Sequence, residues 1–275
     1  MTLQLAEADQ TGLTFRPIAY SFGMDVDGLD VSQQISEAQA ERLREALDEH
    51  KVLALRNQLK VSPPALHRFA SIFGKPEEAP HPTFPDHPDQ IGVKVLTSDA
   101  KQRGSIADSW HKSGITDTWH TDGSTRECTR CVTVLQAVDV PDVGRDTVFA
   151  DMEAIYEDLS DAMKQLLEGL MALNSWGWQN PDAPPVEHPV VLVNPRNGRK
   201  SLYVNRAYTN SFIGMREDEC EALRNFLLEQ THKPEYQLRL HWEPGTIAIW
   251  NNETTQHYLV LDRAYPRVMH RCMMF

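Results

Sequence analysis

The chain has no surplus of basic residues: 27 Lys+Arg stand against 39 Asp+Glu, for a net charge of −12. A balance of that sign argues against a general nucleic-acid binder, which needs a basic face to displace counterions from phosphates. It also disfavours docking on anionic membranes. No run approaches the roughly 20 apolar residues of a membrane-spanning helix. Residues 1–9 lack the basic and apolar regions of a signal peptide. Four cysteines in 275 residues do not make a disulfide scaffold. Together these absences predict a cytoplasmic protein with reduced thiols, no nucleic-acid partner and no membrane partner. Neither GxGxxG nor a Walker loop is present, so the doubly wound nucleotide-binding folds lose their main support. No repeat, low-complexity tract or Gly/Ser linker divides the chain, so one domain over residues 1–275 is expected.

What is present reads as a mixed fold with more strands than helices. Ser36 and Gln39 fit a capping box, and Leu43, Ala46 and Leu47 then give one apolar helix face. Residues 51–55 follow as a short buried strand. Pro63 and Pro64 suit the first turn of a helix that stops at Gly74. Residues 75–118 contain Pro76, Pro80, Pro82, Pro85 and Pro88 and little apolar periodicity, which predicts a lid-like insert. Residues 131–138 read as a strand. Cys128-x-x-Cys131 has no second such pair, which favours a structural role. Ser160 caps a helix whose Met163, Leu166, Leu167, Leu170 and Met171 fall at helical spacing and form a core stripe. Asn197-Gly198 marks a hairpin between residues 190–193 and 201–204. A third helix covers residues 217–229. Residues 236–242 alternate as a half-buried strand, and Pro244-Gly245 turns the chain into another at 246–250. Early helices and late strands predict a mixed α+β fold with a β-sandwich core.

Among eleven histidines, His120 is the informative one, in Trp119-His120-Thr121-Asp122. In an extended strand, residues i and i+2 project from one face, so this imidazole and carboxylate can grip one ion. His257 lies at the start of a late strand. Arg267 and Arg271 share a face of the next one, beyond a turn expected at residues 263–266. That turn is expected to fold their strand back beside His257. Two histidines and a carboxylate form the facial triad of non-heme Fe(II) oxygenases, leaving positions open. A nearby guanidinium can clamp the far carboxylate of a dicarboxylic co-substrate.

With these motifs in order, the chain resembles the taurine dioxygenase (TauD/TfdA-type) family of Fe(II)/2-oxoglutarate-dependent oxygenases. The landmarks are the Trp-His-Thr-Asp quartet, Gly144-Arg145-Asp146-Thr147, Leu202-Tyr203-Val204-Asn205, Ile247-Ala248-Ile249-Trp250, and Thr255-Gln256-His257-Tyr258 through Arg271. The resemblance implies a double-stranded β-helix (jelly-roll) core flanked by helices. It implies Fe(II) held by His120, Asp122 and His257, with 2-oxoglutarate held through Thr147 and Arg267. O2 would be the third reactant, with succinate and CO2 released. Arg271 matches a position that contacts substrate anion or supports the co-substrate. His81 aligns with a substrate-contacting histidine, and Phe84, Trp176, Trp178 and Tyr208 fall where pocket walls would lie.

This chain departs from taurine dioxygenase at Gly123, after the metal carboxylate, and at Thr116 and Asn251. Those departures set taurine itself aside. The expected substrate is a small organic anion: a sulfonate, sulfate ester, phenoxy acid or similar. A homo-oligomer is left open. Two other readings also stay open, a jelly-roll hydrolase or isomerase using another metal and a non-catalytic binding module. Thr147 and Arg267 discriminate against a hydrolase, which needs no second carboxylate clamp.

Overall fold

The computed structural model describes residues 8–79, 84–98, 118–176, 182–260 and 266–275. The early strands are β1 (Thr14–Pro17), β2 (Met24–Asp27), β3 (Val52–Leu55), β4 (Asp86–His87), β5 (Gln90–Ser98) and β6 (Val132–Asp139). Next come β7 (Thr147–Asp151), β8 (Met171–Asn174), β9 (Val186–Pro189), β10 (Val191–Val193), β11 (Lys200–Leu202) and β12 (Thr209–Phe212). The last are β13 (Gln237–Leu240), β14 (Ile247–Asn251), β15 (Thr255–Leu259) and β16 (Arg267–Met274). The helices are α1 (Glu37–His50), α2 (Pro63–Ala70), α3 (Met152–Glu157), α4 (Asp161–Leu167) and α5 (Glu217–Glu229). No helix among the described residues is long and apolar enough to cross a membrane.

Two sheets face each other. The larger has eight strands in the order β1-β2-β3-β14-β6-β16-β5-β4, and the smaller has three, β13-β7-β15. Alternation along each strand sorts side chains between two faces. In β14, Ile247 and Ile249 join a core built with Leu43 and Leu47 of α1 and Leu66 and Phe69 of α2. Ala248 and Trp250 turn the other way and pack with Phe149 of β7 and Leu238 of β13 between the sheets. A third core, with Ile155 of α3 and Leu227 of α5, supports the far side of the smaller sheet. This is the jelly-roll arrangement, with helices outside and a sandwich within.

Local chemistry explains the ends of several elements. Ser36 and Gln39 form the expected reciprocal cap on α1. Asp151 caps α3, accepting from the backbone N–H of Glu153 and Ala154 at 3.0 Å each. Its other oxygen takes the buried Lys51 ammonium at 3.0 Å, and Glu153 receives the same ammonium at 3.1 Å.

Four expectations change. The stretch 75–118 is not featureless, because residues 90–98 form β5, paired with β16. The helix after Ser160 ends at Leu167, and Gly169 at φ +78° turns the chain so that Met171 opens β8. Leu166, placed in the core stripe, is 52% exposed. The strand expected at 236–242 is shorter, with Tyr236 in a 3-10 turn before β13. Finally, the arginine strand does not fold back beside His257: β16 pairs with β5 and β6, in the sheet facing β15.

Candidate metal centre

His120 and His257 are brought together by their backbones before their side chains matter. The His120 N–H donates to the His257 carbonyl at 3.1 Å, and the His257 N–H donates back at 2.8 Å. Residue 120 meets β15 through this isolated bridge, outside any named strand of its own. Asp122 therefore sits in the turn that follows, not on the extended strand its spacing suggested. The turn still delivers the carboxylate. Ligand atoms of His120, Asp122 and His257 all lie within 4.8 Å of one another, the one such cluster among the described residues.

Two of the three donors are oriented by hydrogen bonds, while His257 Nδ1 is buried without a hydrogen-bond partner among the described residues. His120 Nδ1 lies 2.9 Å from the Thr118 carbonyl. An N–H at that position leaves the Nε2 lone pair free for an ion. Thr133 of β6 donates its hydroxyl to Asp122 Oδ2 at 2.9 Å. Asn252 accepts the Asp122 backbone N–H at 3.1 Å and donates its amide to Thr133 at 2.9 Å. Trp250 Nε1 donates to the same Asn252 oxygen at 3.1 Å, and its ring lies 5.0 Å from that of His257.

The charge states suit a divalent cation. Burial pushes the His257 pKa down to about 3 and lowers that of His120, so both rings are neutral donors. Burial works to raise Asp122, but attraction to His257, Arg271 and His120 and the Thr133 hydrogen bond hold it down to about 2. His257 Nε2 and Asp122 Oδ2 are 3.9 Å apart, with 11% and 12% of their side chains exposed. One ion bonded to both at about 2.1 Å can bridge that gap, and a modest closing of the two side chains brings them to adjacent positions on it.

Around this centre stand most of the other residues singled out from sequence. Arg271 reaches across from β16, its Nη1 3.8 Å from Asp122 Oδ1 and its buried Nε without a hydrogen-bond partner. Its guanidinium carbon lies 5.3 Å from the Phe84 ring centroid. Tyr208 is buried, packs edge-on against Trp176 at 5.6 Å, and has its pKa raised by burial and by the Asp122 charge. Thr147 pairs with Leu259, two residues along β15 from His257, and its hydroxyl accepts from Trp242 Nε1 at 3.0 Å. Arg267 opens β16 four residues before Arg271, its pKa pushed down to about 10 by burial and by Arg145. No described acid pairs with Arg267. A Cβ on Gly123 would lie 3.3 Å from Cys131 and 3.4 Å from the Phe275 ring. His81, Thr116 and Trp178 lie outside the described residues. All four cysteines are free, with Cys128 exposed and Cys131 buried, so the pair is no closed site.

Sequence reasoning missed Thr133, Asn252 and Lys94, neutral or apparently ordinary residues with no spacing signature. Lys94 is 2% exposed on β5.

Known proteins share this architecture. The family model described as "Taurine catabolism dioxygenase TauD, TfdA family" matches residues 14–273. The chain is 30% identical over 270 residues to the alkylsulfatase of Acinetobacter baylyi, covering 91% of this chain and 80% of that one. It is 29% identical over 280 residues to the alpha-ketoglutarate-dependent sulfate ester dioxygenase of Pseudomonas putida, covering 94% and 88%. The crystal structure of a taurine dioxygenase from Burkholderia xenovorans superposes with a TM-score of 0.80 at 24% identity, covering 95% of this chain and 90% of that one.

Proposed function

The chain belongs to the TauD/TfdA family and is a 2-oxoglutarate-dependent dioxygenase, an oxidoreductase, and from that premise we propose that it oxidises a small organic anion at an iron centre formed by His120, Asp122 and His257. The donor set fits iron: two neutral imidazoles and one carboxylate on one side of an ion leave the opposite side for other ligands. When bound, iron, 2-oxoglutarate and O2 supply the oxidation, which releases succinate and CO2 and leaves oxygen on the substrate.

The protein's own residues hold and orient. Arg267 and the Thr147 hydroxyl suit the far carboxylate of 2-oxoglutarate. The Trp242 hydrogen bond occupies the Thr147 oxygen as acceptor, which leaves its O–H to donate. Trp176, Tyr208 and Phe84 exclude water from the substrate's apolar part.

The observation that carries the substrate class is Arg271. A buried guanidinium whose nearest acid among the described residues is a metal ligand at 3.8 Å, and whose Nε has no hydrogen-bond partner among them, suits an anion placed beside the metal. The names of the alkylsulfatase and sulfate ester dioxygenase relatives point to sulfate esters first, with sulfonates and phenoxy acids as related anions.

The test is succinate release with Fe(II), 2-oxoglutarate, O2 and hexyl sulfate, hexanesulfonate or phenoxyacetate, with His120→Ala as the blank. At least one probe is expected to stimulate release above the blank, and Arg271→Ala to raise its KM. No stimulation by any of the three, or an unchanged KM in Arg271→Ala, refutes the anion reading.

A further inference from the structure

Lys94 is a lysine buried to 2% exposure in the larger sheet. A buried ammonium is tolerated only with good partners, and an apolar side chain of similar volume packs there at lower cost. Its partners are specific. Nζ donates to Asp86 Oδ1 at 2.8 Å and to the Ala79 carbonyl at 2.9 Å. The same Asp86 oxygen accepts the Gly92 N–H at 2.9 Å. Lys94 thus joins β4, β5 and the chain at Ala79 through one charged atom.

What stands beside this clasp gives it meaning. Across the ladder, Lys94 is the Cα partner of Asp86 on one side and of Arg271 on the other. Directly paired antiparallel residues lie about 5 Å apart and project from the same face. The clasp therefore shares the inner face with the guanidinium that reaches Asp122. Two residues before Asp86 is Phe84, whose ring covers that guanidinium at 5.3 Å.

We propose that Lys94 and Asp86 are positioning residues of the substrate subsite: their ion pair fixes β4, just after Phe84, and so holds Arg271 turned towards the metal centre. The inference rests on the reading of Arg271 as the anion-binding residue. A cation held over an aromatic face in a dry site gains affinity and loses freedom to rotate away. A pure packing role for Lys94 gives no reason for a charge, and none for its place beside Arg271.

The experiment compares the iron-loaded enzyme with Lys94→Arg, the apolar pair Lys94→Met/Asp86→Leu, and Phe84→Leu, using whichever of the three anionic probes drives succinate release. The double variant leaves no unpaired buried charge and is expected to melt within a few degrees of the wild type. Both it and Phe84→Leu are expected to raise the probe KM about tenfold, the scale of one lost cation–π contact in a dry site. In the double variant the co-substrate KM and the kcat are expected to stay within about twofold, and Lys94→Arg is expected to keep most of the probe affinity. A folded double variant with the wild-type probe KM overturns the inference, as does an equal rise in the co-substrate KM. Should the double variant not fold, Asp86→Ala, at the partly exposed end of the pair, decides, and an unchanged probe KM there overturns it. An unaffected probe KM in Arg271→Ala removes the underlying substrate reading instead, and this inference with it.

Discussion

Asn252 holds Asp122 at two points: it accepts the aspartate's backbone N–H directly, and it fixes the Thr133 hydroxyl that donates to the carboxylate. One neutral side chain between two strands and a turn thereby determines where a charged ligand points. Asn252→Ala is expected to weaken metal binding about 10- to 100-fold, as loss of an outer-shell partner does. Titration of the purified protein with Mn(II), read by the free-ion EPR signal, measures this. An affinity within twofold of the wild type refutes the assignment.

Gly123 is the residue after that ligand, and it combines φ +82° with a crowded Cβ direction 3.3 Å from Cys131. Gly123→Ala is expected to cost about 1–2 kcal/mol through the left-handed backbone alone, with the contact added. In a Cys131→Ala background only the sulfur contact disappears, while the contacts with the residue 131 Cβ and the Phe275 ring and the backbone part remain. Urea unfolding of the four proteins of that cycle separates the two. A cost that vanishes entirely in the Cys131→Ala background contradicts the backbone account.

The Lys51 ammonium serves two carboxylates, Asp151 and Glu153, with side-chain exposures of 8%, 3% and 5%. Lys51→Met leaves both acids buried without their cation and is expected to destabilise by about 3–5 kcal/mol. Denaturant unfolding checks this. A loss below about 1 kcal/mol, the scale of an exposed pair, shows that Arg199, 3.7 Å from Glu153, or penetrating water takes over the role.

Tyr236 donates its hydroxyl to Asp158 at 2.7 Å, and burial together with that bond pushes its pKa up to about 12. A folded-state pKa above the ordinary value of about 10 means a contribution fully present below about pH 10 and lost as pH rises through about 12. Relative to Tyr236→Phe, the wild type is expected to be more stable by about 1 kcal/mol at about pH 8. That advantage should shrink as the pH rises from about 10 to about 12. A constant difference across the range contradicts the linkage.

Periodic segments were readable from sequence because one face of each meets the core. The helix over residues 217–229 and the cap at Ser36 appear where the pattern puts them. The pattern failed where a single backbone residue outweighs it, as when Gly169 ends a helix whose apolar spacing continues to Met171. It failed again at β5, whose position is set by β16, a partner far along the chain, while the nearby prolines mask its own signal. At the candidate site, the His-x-Asp spacing marked the donors. It misjudged their setting, because an isolated bridge and a turn give the same juxtaposition as a strand. Thr133, Asn252 and Lys94 left no trace, since hydrogen bonds across strands depend on register and not on local sequence.

The place of β16 between β6 and β5 imposes an order on assembly. Strands β5 and β4, with Phe84 beside them, join the larger sheet only through this late segment, which also carries Arg271. Pairings of such long sequence separation form slowly, after loop-closure entropy has been met. Arg271, its aromatic cover and the strand beside them therefore come together only once β16 has paired with β5 and β6. Until that pairing forms, nothing in the larger sheet sets Arg271 and Phe84 side by side.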